Sequence, residues 1–149
     1  MRIHSRTAFV VLPLLFAGTA SAQTAKELIG SYRPRTPGVQ VETPKAADLE
    51  KCKREVVTEG KGSSWVVYGP AGQVLRRFAD TDGDKKVDQF RYYNLGVEVY
   101  RDIDSDGDET IDQYRWMNSG GTRWGIDRTG NGKIDEWKRL SAQEAAEVA

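Results

Sequence analysis

Three short blocks of this sequence carry carboxylates at matched spacing: DTDGDKKVD at 80–88, DSDGDETID at 104–112 and DRTGNGKID at 127–135. Each block has an oxygen-bearing side chain at its first, third, fifth and ninth positions. In the first these are Asp80, Asp82, Asp84 and Asp88. In the second they are Asp104, Asp106, Asp108 and Asp112. In the third they are Asp127, Thr129, Asn131 and Asp135. Alternate residues of a tight loop point the same way, so each set converges on one centre. Gly83, Gly107 and Gly130 permit the turn, and the carbonyl of the seventh residue (Lys86, Thr110, Lys133) adds a further oxygen. Crowded carboxylates repel one another unless a cation sits among them. A hard, oxygen-only set of about six or seven ligands suits calcium better than magnesium, which takes fewer protein ligands in strict octahedral geometry. The bland alternative is three hairpin loops with solvated Asp caps, since Asp, Asn and Gly are ordinary turn residues.

What must hold these loops is a repeated strand unit. The blocks start 24 and 23 residues apart, and each is followed by the same kind of segment: QFRYYN, QYRWMN and EWKRLS. Gly-containing turns lie between them at Asn94-Leu95-Gly96 and Asn118-Ser119-Gly120-Gly121. Self-similarity at this period marks one supersecondary unit per repeat. The segments are aromatic and β-branched and alternate with period two, which predicts strands. Alternation puts Asp88, Phe90 and Tyr92 on one face, as it does Asp112, Tyr114 and Trp116, and Asp135 and Trp137. Val87, Gln89 and Arg91 fall on the other. Upstream, Cys52–Thr58 reads as a first strand broken by Glu59-Gly60-Lys61-Gly62, and Trp65–Tyr68 as the next, ending in the turn Gly69-Pro70-Ala71-Gly72. The expected fold is all-β, a repeat-built antiparallel meander of about seven or eight strands over residues 51–141. Residues 23–50, rich in proline, threonine and alanine, read as an extended arm or linker. Ser141-Ala142-Gln143-Glu144 is a capping-box signature that predicts a short helix over 142–149.

The loops resemble the calcium loops of FG-GAP and VCBS-type repeats, which read roughly D-x-D-G-D-G-x-x-D and join two strands. The first two blocks match that pattern at its ligand positions, and the third less well, with Thr129 and Asn131 in place of carboxylates. By this resemblance the ligands are the twelve residues named above. The sixth position departs from it in two blocks, with Lys85 and Glu109 where that family usually has glycine. The repeat is also too short for one propeller blade per loop, so a propeller is not implied. The stretch from Trp65 to Ser141 also looks like a repeat module of exported bacterial proteins of unassigned function. An EF-hand is excluded, because the twelfth residues are Arg91, Arg115 and Lys138 rather than Glu and the flanks are strands.

Composition narrows the function further. Arg2 and Arg6, the apolar run Ala8–Gly18 and the small-x-small site Ala20-Ser21-Ala22 predict a secretory leader over 1–22. Residues 23–149 are then an exported chain, periplasmic or extracellular, with no further apolar segment to insert in a membrane. Removing Arg2 and Arg6 takes the basic count from 22 to 20 against 22 acidic residues, a net charge of −2. That argues against nucleic acid as a partner. The one histidine, His4, lies in the leader, so no imidazole base, Ser-His pair or His metal ligand is expected in the mature chain. Cys52 is the single cysteine and cannot form an internal disulfide; it reads as a small buried strand residue. The aromatics Phe90, Tyr92, Tyr114, Trp116, Trp124 and Trp137 read as the core face of the sheet, with a sugar-stacking platform as the alternative. The arginines 77, 91, 101, 115 and 123 are expected in cross-strand pairs or over aromatic rings. The expected function is a non-enzymatic, calcium-stabilised exported module with a structural or adhesive role towards a cell-surface protein or polysaccharide. A carbohydrate-binding module using the aromatic face comes second, and a hydrolase third.

Overall fold

Turn chemistry and the acidic blocks divide the chain into short strands. In the computed structural model, which describes residues 23–118 and 120–147, these are β1 (Lys53–Glu59), β2 (Gly62–Tyr68), β3 (Val74–Ala79), β4 (Gln89–Asn94), β5 (Val97–Ile103), β6 (Gln113–Asn118), β7 (Gly121–Ile126) and β8 (Glu136–Leu140). All eight pair antiparallel with their sequence neighbours in one open sheet ordered β1 to β8, the expected meander. The expected leader at 1–22 lies outside the described residues. No helix among them is long and apolar enough to cross a membrane.

The register gives the sheet two unlike faces. One cross-strand row runs Trp65, Phe78, Phe90, Asp102, Tyr114, and the next on the same face runs Tyr92, Tyr100, Trp116. Rings along this apolar face touch edge-on or tilted, with centroids 5.2 Å apart for Tyr100–Trp116 and 5.3 Å for Trp116–Trp137. The opposite face carries the row Val66, Arg77, Arg91, Arg101, Arg115, Trp124, Lys138. Trp124 therefore stands on the opposite face from Phe90, Tyr92, Tyr114, Trp116 and Trp137.

Residues 23–50 differ from an extended linker. The segment opens with helix α1 (Ala25–Ser31), whose Thr24 and Glu27 form a capping box, and closes with a 3₁₀ turn at Ala46–Lys51. The apolar stripe Ala25, Leu28 and Ile29 packs on Trp65, Val67, Leu75, Phe78 and Val87. Between the two helical turns the chain crosses the rest of the apolar face, where Val39 and Val41 meet the cluster of Tyr92, Tyr100, Ile111 and Tyr114. The reason is that a bare aromatic sheet face needs cover, and the described residues form one sheet with no second to supply it. Polar bonds pin this strap. Arg35 N–H donates to Asp102 Oδ2 (2.9 Å), Tyr100 Oη donates to Asp102 Oδ1 (2.6 Å), and Arg76 donates to Glu42 O and Thr43 Oγ1. Burial pushes the pKa of Asp102 up to about 6, partly opposed by those two hydrogen bonds. Helix α2 (Ala142–Glu147) follows the expected capping box, with the Glu144 carboxylate accepting from Ser141 N–H. Cys52 caps the 3₁₀ turn rather than sitting within β1, and is half-buried.

Candidate metal centre

The loops joining β3 to β4, β5 to β6 and β7 to β8 are the three acidic blocks, and all leave the same end of the sheet. They share one hydrogen-bond plan. The first-position Asp accepts from the N–H groups of the fourth and sixth residues. These are Gly83 (2.6 Å) and Lys85 (3.0 Å) for Asp80, and Gly107 and Glu109 (both 2.8 Å) for Asp104. Asp127 takes the same bonds from Gly130 (2.9 Å) and Gly132 (2.6 Å). The fifth residue accepts from the seventh in each loop, and the third from the fifth in the first two. The ninth-position Asp reaches back to the N–H of the second: Asp88 to Thr81, Asp112 to Ser105, Asp135 to Arg128. The Asp caps of the bland alternative are thus present, but each carboxylate has about four lone-pair sites and keeps capacity beyond these bonds.

That capacity converges in two loops. Asp80, Asp82 and Asp88 offer one oxygen each, all within 4.8 Å of one another, and Asp104, Asp106 and Asp108 do the same. The sets differ by one member. The ninth residue closes the first, where Thr81 N–H and hydroxyl both donate to Asp88 Oδ2 and leave Oδ1 free; in the second, Ser105 occupies both oxygens of Asp112 and Asp108 takes its place. Asp84 is not in the first set. Loop three brings no three carboxylates together among the described residues. There the Thr129 hydroxyl bridges Asp127 (3.2 Å) and Asp135 (3.3 Å), so an uncharged group sits between the two acids. Asn131 is occupied with Lys133 N–H. The two triads could each hold a metal ion. Their repulsion also shows at Asp104, whose pKa is raised by burial and by Asp108 and Asp106, against the two backbone N–H bonds.

Two features of the loops differ from simple strand alternation. Val87 and Ile111, at the eighth position, pack on the apolar face with Phe90 and Tyr114. Asp88 and Asp112 instead line concavities on the arginine face. This reverses the expected parity, because the strands begin only at Gln89 and Gln113 and the two residues before each belong to the loop. The sixth position has positive φ in all three loops: Lys85 (72°), Glu109 (70°) and Gly132 (79°). Loops one and two thus hold ordinary residues, Lys85 and Glu109, in the left-handed region that favours glycine.

Backbone bonds tie the loops to one another. Asp104 N–H donates to Asp88 O and Asp127 N–H to Asp112 O, both at 2.8 Å, so each loop starts on the end of the one before. Lys86 and Glu109 add an ion pair between loops one and two at 2.6 Å. On the apolar face Tyr92 and Tyr114 are buried, while Trp137 is exposed, with the Arg123 guanidinium 3.9 Å from its ring centroid. Phe90 and Trp116 are half-buried there, so the middle of the aromatic face is core and its edge at Trp137 is open. No family model, no curated protein and no solved structure matches this chain.

Proposed function

We propose that this protein is an exported, non-enzymatic β module whose acidic loops bind calcium to fix one end of the sheet. The observation that carries the reading is the pair of Asp triads, each with three oxygens within 4.8 Å, on adjacent loops joined by a backbone hydrogen bond. An ion in each triad would remove the repulsion and pull three points of a loop together. It would also select the folded chain, since the unfolded chain has no such site. Calcium suits the sites better than magnesium, because a cluster of three carboxylates on one loop supplies several protein oxygens, whereas magnesium keeps most of its waters and takes one or two carboxylates in strict octahedral geometry. The loop resemblance to FG-GAP and VCBS-type repeats and the leader read from the sequence support the same function. Extracellular calcium modules bind at about 10⁻⁴–10⁻³ M, which matches an always-loaded structural ion.

Calorimetric titration of the protein with calcium tests this. The expected stoichiometry is two ions, one per triad, and one ion after Asp82→Ala. Magnesium should bind at least tenfold more weakly. A flat calcium titration would overturn the proposal.

A further inference from the structure

The sheet is open, so β1 and β8 each present an edge with no strand beside it among the described residues. Such an edge is a template for another strand unless its charges turn one away. At β8 the charges do the opposite. Acids precede Trp137, at Asp135 and Glu136, and bases follow it, at Lys138 and Arg139. A strand with this order is complementary to its own antiparallel copy. Paired about Trp137, the Glu136 of each copy stands opposite the Lys138 of the other on the arginine face. The two Trp137 rings then meet on the apolar face. Centring the pair on Glu136, Lys138 or Arg139 instead would oppose two like charges at the axis, which is destabilising.

The β8 edge is also incomplete within its own chain. The run of ring contacts from Tyr92 through Tyr100 and Trp116 ends at Trp137, which is 47% exposed and belongs to neither buried cluster. Arg139 stands directly opposite Arg123, and no acid pairs with either among the described residues. Glu136 gives its Oε2 to Arg128 (2.7 Å from Nε), while its Oε1 has only a loose contact of 3.5 Å with Lys138. The β1 edge is less suited. Pairing about its exposed Val56 would set Lys53 opposite Glu59, but Glu59 already spends both oxygens on Arg77 (2.8 Å) and Arg91 (2.7 Å). We propose that the β8 edge is a dimerisation site, where β8 pairs antiparallel with β8 of a second copy about Trp137. The same residues serve both chains, so the contact closes on itself and does not propagate. Antiparallel pairing also sends the acidic loops of the two copies to opposite ends, so these like-charged groups do not meet. One short strand and one tryptophan from each copy make a small contact, which places the dimer in the weak, transient class.

Sedimentation of the protein in excess calcium and reductant, which keeps Cys52 from linking chains, tests this. A dimer is expected at high micromolar protein. Glu136→Lys and Lys138→Glu should each weaken it by about tenfold or more, because both cross-strand pairs turn from attractive to repulsive. Mixed together, the two variants should form a heterodimer as tight as the native dimer, since every opposed pair then has unlike charges. Lys138→Glu leaves the Arg128–Glu136 pair in place and carries the test alone if Glu136→Lys does not fold. Val56→Lys, on the other edge, should leave the dimer unchanged. A native protein that stays monomeric, a dimer indifferent to Lys138→Glu, two folded variants that do not associate with each other, or loss of the dimer in Val56→Lys would overturn the proposal.

Discussion

Single residues in the acidic loops do two tasks at once. Asp80 and Asp104 shape the loop by accepting two backbone N–H bonds each, and they also contribute an oxygen to a triad. The spacing of the carboxylates was legible in the sequence, but which of them converge was not, since Asp84 and Asp112 stay out of the triads. Nor was the backbone plan: it depends on a left-handed sixth residue, and Lys85 and Glu109 gave no glycine to mark it. A non-glycine residue in that region costs about 1–2 kcal/mol. Lys85→Gly should therefore stabilise the protein by about 0.5–1 kcal/mol in urea unfolding, after the added entropy of the unfolded chain is subtracted. Glu109→Gly should gain less, because it loses the ion pair with Lys86. The turn between β4 and β5 offers a parallel case. Leu95 (φ 52°) and Gly96 (φ 77°) occupy central positions where asparagine-glycine is favoured, and Leu95 is 82% exposed. Leu95→Asn should be neutral to stabilising by a similar amount.

At the scale of elements, the sheet was readable and its cover was not. Period-two aromatic runs and glycine turns announce strands by local chemistry alone. Helix α1 has only seven residues and cannot be stable by propensity; it forms because Leu28 and Ile29 find an open apolar face. One local signal was available, since Thr24-Ala25-Lys26-Glu27 has the same capping-box pattern as Ser141-Ala142-Gln143-Glu144. Proline and threonine further along masked it by making the whole segment read as linker. Leu28 is fully buried, so Leu28→Ala should cost about 2–5 kcal/mol in chemical denaturation and free the strap. The strap also carries a pH signature. The pKa of Asp102 is raised to about 6 in the folded state, so the native protein holds a proton that the unfolded chain releases near pH 4. Stability from this group is therefore fullest below about pH 4 and falls as pH rises through 6, by up to about 3 kcal/mol. With calcium held saturating, Asp102→Asn should flatten that part of the stability–pH curve. A curve unchanged by the substitution would show that Asp102 is not the titrating group.

Over the whole molecule, the meander brings three loops 24 and 23 residues apart in sequence to one end of the sheet, stacked in register. The first hairpin joins that end without an acidic loop. Gly62 sits so close to loop one that an added Cβ would lie 2.2 Å from the Asp80 carbonyl oxygen. Gly62→Ala should then disturb loop one and weaken calcium binding there while leaving loop two intact. Loop three, locked by its Thr129 hydroxyl, should keep its shape without metal. With calcium at about 100 times its dissociation constant, each occupied site adds about 2.7 kcal/mol. Two sites together should move the melting temperature by about 10 °C or more. The most direct measurement is thermal melting of the protein in excess calcium and then in chelator. The account predicts a fall of that size on chelation, almost absent in the Asp82→Ala, Asp106→Ala double variant. Superimposable melting curves with and without calcium would contradict it.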